Sequence, residues 1–123
     1  MESDLRIAVV SVPVQDQARA RDFYRDLLGF TVLAEHPGVM GPGRDWIMLG
    51  APGGGSSITL VNWFDTMPAG SLRGLVVHTK DIDAEHKRLR AAGLAIDDIQ
   101  NEAWGRFATF RDSEGNGLVL TTG

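Results

Sequence analysis

The sequence predicts an α+β protein made of two βαβββ modules, and three observations support this prediction. A Val-rich stretch, an Asp, a helical segment and a Gly occur twice, with Asp81 following Asp16 by 65 residues and Gly93 following Gly29 by 64. Each Gly precedes three short strand-like stretches. Each copy is too small to bury its own apolar face, so the two copies must pack together. A cavity is therefore expected at the seam between them.

The first module is expected to span 5–64. Its opening strand covers 5–14, where the run of Val residues suits a strand that is covered on both faces. Asp16 is expected to cap the following helix, which has one apolar stripe, and Gly29 is expected to end it. The remaining strands are expected over 30–34, 45–49 and 57–63, with a Gly-rich turn between the last two.

The second module is expected to span 72–123, after a short linker that contains Pro and Gly. A strand over 72–79 leads to a helix that Asp81 caps and Gly93 ends. Three further strands are expected over 95–99, 106–111 and 117–122. The last two are joined by a tight turn whose Gly and Asn residues favour positive φ.

Length, composition and charge exclude several classes of protein. A chain of 123 residues with 43% hydrophobic and 23% charged residues indicates a single globular domain over 1–123. The net charge of −4 argues against nucleic acid and against an anionic membrane surface as partners. The acidic opening lacks the basic start of a secretion signal, so a cytoplasmic location is expected. The chain has no Cys, which excludes thiolate nucleophiles.

Three short motifs carry a resemblance to a known family. They are VPVQD at 12–16, FY at 23–24 with LGF at 28–30, and DSEGNG at 112–117. On this duplicated frame the whole chain resembles the glyoxalase/bleomycin-resistance/dioxygenase superfamily, also called vicinal oxygen chelate (VOC) proteins. The resemblance implies a curved eight-stranded mixed sheet around a cup between the modules. It also implies a homodimer, as in many small members.

Metal-dependent members of that superfamily carry His, Gln or Glu at four positions that face the cup. The resemblance assigns these positions to Val9, Thr59, Leu75 and Val119. Zn²⁺ and Fe²⁺ require imidazole, thiolate or carboxylate donors, which none of the four side chains offers. We therefore expect no metal and no cofactor.

The candidates for acid–base catalysis are few. Strand alternation from Leu75 turns His78 toward the helix layer, where a structural role is the more favoured interpretation. Glu102 is expected on a loop that overhangs the cup, either as an acid or base or as a solvated charge. His36 is expected on a surface loop and His86 on a solvated helix face.

The expected cup lining is mainly apolar and aromatic, with a few hydroxyl groups that could orient a ligand. An apolar sheet face of this kind is equally typical of a plain core or of a dimer seam. The predicted ligand-binding residues are Val9, Ser11, Trp46, Met48, Thr59, Val61, Leu75, Val77, Trp104, Phe107, Thr109, Val119 and Thr121.

The main functional hypothesis is a metal-free protein that binds a small apolar or aromatic molecule in the cup, either to sequester it or to confer resistance to it. A second hypothesis is a lyase, isomerase or dioxygenase of the superfamily with unusual metal ligands such as His36, His78 and Glu102. A third hypothesis is a dimeric interaction module without catalytic activity, whose cup is filled by its own side chains.

Overall fold

Eight strands and two helices make up the protein, for which the computed structural model describes residues 2–122. The strands and helices follow the order of two βαβββ modules. The first contains β1 (Val9–Pro13), α1 (Gln17–Asp22), β2 (Thr31–His36), β3 (Trp46–Gly50) and β4 (Ser57–Val61). The second contains β5 (Leu75–His78), α2 (Ile82–Ala91), β6 (Gln100–Glu102), β7 (Gly105–Arg111) and β8 (Gly117–Thr122). Neither helix combines the length and apolar character that a membrane crossing requires.

The backbone hydrogen bonds divide the strands into two four-stranded mixed sheets. The strand orders are β1-β4-β3-β2 in the first sheet and β5-β8-β7-β6 in the second. In each sheet the first strand of the module pairs in parallel with the last, and the other neighbours are antiparallel. The fold class is confirmed, and the eight strands of the implied curved sheet are hydrogen-bonded as two sets of four.

Both predicted helix caps are present. The Asp16 carboxylate accepts a hydrogen bond from the Arg19 N–H at 3.0 Å, and Asp81 accepts one from Ala84 N–H at 3.1 Å. These bonds satisfy backbone donors that have no partner within the helix. Gly29 and Gly93 end the helical segments with φ values of +79° and +98°, which only glycine adopts readily. The first helical segment continues beyond α1 as a π-helical turn over Phe23–Leu27.

The second strand of the second module lies later than the sequence predicts. It was expected over 95–99, but β6 covers Gln100–Glu102. Ile96 is buried in the core, and the next residue, Asp97, bonds to β7 through its backbone N–H and the Thr109 carbonyl oxygen at 3.0 Å. The segment before β6 therefore packs as an ordered loop, because apolar side chains such as Ile96 are buried in the core.

A single hydrophobic core joins the two modules. It includes buried residues from the helix-facing side of the first sheet, such as Ile47 and Leu60, and from the helix-facing side of the second, such as Phe110 and Leu118. Residues of both helical segments complete it. Because alternate residues of a strand point to opposite faces, the other face of each sheet is turned away from this core.

A buried polar cluster also connects the modules. The Tyr24 hydroxyl donates a hydrogen bond to Asp112 Oδ2 at 2.8 Å, and Asn116 Nδ2 donates to the same oxygen at 2.9 Å. Asn116 Nδ2 also donates to the Pro13 carbonyl oxygen at the end of β1. Burial, and then the Asp112 carboxylate, raise the pKa of Tyr24, so that the phenol remains a donor. The turn over 112–117 is thereby fixed to the first module.

A second cross-module contact lies beside this cluster. Glu114 Oε1 accepts hydrogen bonds from the backbone N–H groups of Gln15 and Asp16 at 2.9 and 2.8 Å, and Oε2 accepts one from Arg19 Nε at 2.8 Å. The Glu114 side chain is 1% exposed. Burial alone raises the pKa of this carboxyl, but the hydrogen bonds from Asp16, Arg19 and Gln15 outweigh it and lower the pKa of Glu114 overall.

Candidate functional site

The candidate site is formed by the sheet faces that point away from the core, which we call the open faces. Paired residues of neighbouring strands share a face, so strand register assigns the side chains directly. On the first sheet, Ser11 and Met48 both pair with Thr59. On the second sheet, Thr109 pairs with Val119 and Phe107 with Thr121. These residues, with Val9, Trp46 and Val61 at alternate positions, lie on the open faces.

Stacked aromatic side chains lie at both open faces. On the first sheet the rings of Trp46 and Trp63 stack with their centroids 6.4 Å apart. At the second sheet the ring of Trp104, in the turn before β7, stacks on Phe107 at 5.1 Å with an interplanar angle of 16°. Trp104 is nevertheless 70% exposed. Its outer ring face is therefore available to a flat apolar partner.

The register of β5 differs from the prediction by one residue. Leu75 and Val77 were predicted on the open face, but they pair with Leu118 and Leu120 and pack against the core. Val76 and His78 occupy the open face instead, paired with Val119 and Thr121. Leu75, Val76 and Val77 are all apolar, so their sequence does not reveal which alternate set is buried. Leu75 and Val77 are buried because they pack beside the buried leucines of β8 in the core of the second module.

The two candidate acid–base residues are exposed. His78 lies on the open face of the second sheet, which corrects its predicted position toward the helix layer. Glu102 lies at the end of β6, opposite Gly105, and not on a loop. The structure places neither residue in an enclosed setting that would activate it for proton transfer.

The other two histidines also have defined places. His36 ends β2, where it pairs with Trp46 at the edge of the first open face, and it is exposed. His86 was expected on a solvated helix face, but it is only 9% exposed. Its Nε2 lies 2.7 Å from the Asp97 carbonyl oxygen, so this nitrogen acts as the donor. His86 thus ties α2 to the loop before β6 and has a structural role.

The residues present do not fit the metal site that some superfamily members contain. Val9, Thr59 and Val119 lie on the open faces, and Val76 takes the place expected for Leu75. Three of these four side chains are hydrocarbon and provide no lone pair. Across residues 2–122, the structure brings together no group of three His, Asp or Glu side chains that could hold a metal ion.

A separate groove lies between the two modules on the helix side of the sheets. Its volume is about 740 Å³. It includes Leu75 and Val77, the two predicted ligand residues that are absent from the open faces. A cavity at the seam was expected, but its walls come from the core faces of the sheets. The apolar walls include Val10, Leu28, Phe30, Ile58, Leu75, Val77, Leu89, Phe110 and Leu120.

Comparison with known proteins assigns this fold to a family. The family model of the Glyoxalase/Bleomycin resistance protein/Dioxygenase superfamily matches residues 6–120. The chain belongs to this superfamily. The match includes every strand except the last two residues of β8.

Three similar proteins show how this superfamily member relates to others. The antibiotic binding protein TnmS3 from Streptomyces sp. CB03234 is 43% identical, with a TM-score of 0.90 over 99% of this chain and 98% of that one. A glyoxalase/bleomycin resistance protein from the same strain is 46% identical, with a TM-score of 0.83 over 94% and 99%. The uncharacterized protein YetH of Bacillus subtilis (strain 168) is 32% identical over 94% of this chain and 96% of its own length.

Sequence reasoning missed the cross-module polar cluster of Tyr24, Asp112 and Asn116. Tyr24 and Asp112 are 88 residues apart, and no periodic pattern connects them. The available signal was that both residues lie in the motifs that carried the family resemblance. A polar residue in such a motif without a surface role is a reasonable candidate for a buried hydrogen bond.

Proposed function

We propose that this protein binds a flat, largely aromatic small molecule at its open faces and sequesters it without chemical change. The observation that carries the proposal is the pair of aromatic stacks, Trp46 with Trp63 and Trp104 with Phe107, on sheet faces that also present apolar side chains. An accessible indole ring offers a large apolar surface and favours offset stacking with another ring system. The likeness to TnmS3, described as an antibiotic binding protein, supports an antibiotic as the ligand.

Binding without catalysis is favoured by the chemistry of the open faces. The Thr109 hydroxyl donates a hydrogen bond to Asp97 Oδ2 at 2.6 Å, and the Thr121 hydroxyl donates one to the Arg106 carbonyl oxygen at 3.1 Å. Both hydroxyl oxygens can still accept a hydrogen bond that orients a ligand. The four positions corresponding to metal ligands in the superfamily hold mostly hydrocarbon, which favours metal-independent binding. A protein that only holds its ligand needs shape, apolar surface and a few polar groups.

We further propose that the binding cup is completed in a homodimer of a cytoplasmic protein. Val76 is 58% exposed and Val9 is 37% exposed in a single chain, although both lie on apolar faces. Covering such side chains is favourable by about 25 cal/mol per Å² of apolar surface. A second copy that placed its open face opposite would enclose a ligand between aromatic stacks.

Ligand titration tests the proposal directly. Fused-ring aromatic antibiotics are titrated into the protein while tryptophan fluorescence and melting temperature are measured, with a saturated macrolide as the control. We expect aromatic compounds to quench fluorescence and to raise the melting temperature, since a ligand that binds only the folded state stabilises it. Analytical ultracentrifugation in the same buffer reports whether the complex is dimeric.

Variants at the second open face sharpen the test. Trp104→Ala is expected to weaken binding about tenfold, which corresponds to the loss of one aromatic stack. Trp104→Phe should retain most of the affinity. Val39→Ala removes an apolar side chain that is 65% exposed in the turn after β2, and should change nothing. If no aromatic compound alters either signal, or if Trp104→Ala binds as well as the wild type, the proposal is wrong.

A further inference from the structure

The groove between the modules has the dimensions and lining of a second ligand site. Its volume of about 740 Å³ lies in the range of about 300–1,000 Å³ that is typical of small-molecule pockets. Val10 and Ile58 contribute from the first sheet, and Val77 and Leu120 from the second. All four point to the helix side, and the groove also reaches around the edge strand β5 to Val76 and His78 of the second open face. A ligand here would contact both modules at once.

Charged residues lie only at the mouth of the groove. The end of β5 and the residues after it place His78 and Lys80 there, and α2 contributes Glu85 and Arg88. Arg88 is already engaged, since its Nη2 lies 2.8 Å from Glu85 Oε2 and its Nη1 donates to the Leu27 carbonyl oxygen. Lys80 has no ion pair with any residue of the described range 2–122. The mouth therefore has one uncompensated positive charge beside an apolar interior.

This distribution of charge selects one class of ligand. An apolar body would gain from leaving water for the groove, by about 25 cal/mol per Å² of apolar surface removed. An anionic group attached to it would remain at the mouth and pair with Lys80. We infer that the groove binds an amphipathic carboxylate, with its apolar portion between the modules and its carboxylate at Lys80.

The test compares three ligands that share one apolar chain. Dodecanoate, dodecanol and dodecyltrimethylammonium are titrated below their aggregation concentrations, and binding is measured by calorimetry. Dodecanoate is expected to bind more tightly than dodecanol by about three- to fivefold, the size of an exposed ion pair. The cationic compound is expected to bind least. Equal affinity for all three, or no binding of dodecanoate, would overturn the inference.

Two Val→Trp substitutions test whether the ligand lies in the groove. Val77→Trp fills the groove and should abolish dodecanoate binding, whereas Val39→Trp adds the same side chain in the turn after β2, outside the groove, and should leave it unchanged. Unchanged binding by Val77→Trp would place the ligand elsewhere. Because Val77→Trp also disturbs the core, Lys80→Gln provides an independent test. It should remove the preference for dodecanoate over dodecanol and retain dodecanol binding.

Further variants distinguish ligand binding in the groove from binding at the proposed aromatic site and from occupation of the groove by a second copy of the chain. Trp104→Ala should not affect dodecanoate binding, so the result is independent of the proposed aromatic site. The exposed Leu5 and Ile7 of a second copy are an alternative occupant of the groove. If Leu5→Asp with Ile7→Asp dissociated a dimer and strengthened dodecanoate binding, the groove would be a protein interface in solution and the inference would be overturned.

Discussion

The hydrogen bond from Tyr24 to Asp112 is predicted to be a major contribution to stability. Tyr24 is 0% exposed, and its hydroxyl donates to a carboxylate that is itself 6% exposed. Asp112 accepts three other hydrogen bonds, from Asn116 Nδ2 and from the backbone N–H groups of Glu114 and Asn116. Tyr24→Phe therefore removes one of four donors but keeps the ring, which contacts Phe23 and Phe30 edge to face.

The magnitude follows from the charge and burial of the acceptor. A hydrogen bond to a charged group contributes about 1.5–3 kcal/mol, and burial places Tyr24→Phe in this range. For a chain of 123 residues the melting temperature should fall by roughly 5–12 °C. Urea denaturation should show a lower midpoint with an unchanged slope, since the surface exposed on unfolding is the same.

A double-mutant cycle isolates the pair. Tyr24→Phe and Asp112→Asn should together cost clearly less than the sum of their separate effects, with a coupling of about 1 kcal/mol or more. Asp26→Asn is the control, because within residues 2–122 this exposed carboxylate forms a salt bridge only with its neighbour Arg25, and its loss should leave the midpoint unchanged. A cost below about 0.5 kcal/mol for Tyr24→Phe, without coupling to Asp112, would refute the reasoning.

Three other predictions concern stability. The pKa of Glu114 is lowered from its ordinary value of 4.5, so its stabilisation is present above pH 4.5 and is lost as the pH falls through the lower pKa of the folded state. Glu114→Gln should thus lower the free energy of unfolding by about 1.5–3 kcal/mol at neutral pH, and the stability of the variant should fall less steeply at acid pH than that of the wild type. An equally steep fall at acid pH would contradict this prediction. Gly70→Ala should lower the free energy of unfolding by about 1–3 kcal/mol more than Gly38→Ala. Both glycines have positive φ, but only at Gly70 would an added Cβ collide with the Glu114 carbonyl oxygen. Equal melting temperatures of the two variants would show that there is no such clash. His86→Ala should cost about 1–2 kcal/mol in urea denaturation through loss of the bond to Asp97, whereas a solvated His86 would show no effect.

Features that depend on local rules were predictable from the sequence. Asp16 and Asp81 cap their helices and Gly29 and Gly93 end them, since each role needs only a particular residue at one position. The duplication also led to the correct strand count and to the family. On the first sheet, Thr59 pairs with both Ser11 and Met48, so strand alternation is sufficient to give these three side chains one face.

Features that depend on choices between distant parts of the chain were not predictable. The prediction of which face of β5 is buried was wrong because Leu75 and Val76 are both apolar, and only packing against the buried leucines of β8 decides between them. His86 has charged neighbours on its helix, while its partner Asp97 belongs to a loop 11 residues away. The Tyr24 bond and the residues that form the walls of the inter-module groove depend on how the modules pack, which no local pattern contains.

The polar cluster at the seam has a consequence for the history of the duplication. In a symmetric pairing of two first modules, the β3–β4 turn would face Tyr24, and that turn over 51–56 has the sequence APGGGS without a carboxylate. The phenol would then be buried without an acceptor, at a cost of about 1–3 kcal/mol. The two halves have become mutually dependent and are no longer interchangeable, so a self-paired ancestor must have had a different residue at position 24 or a different turn.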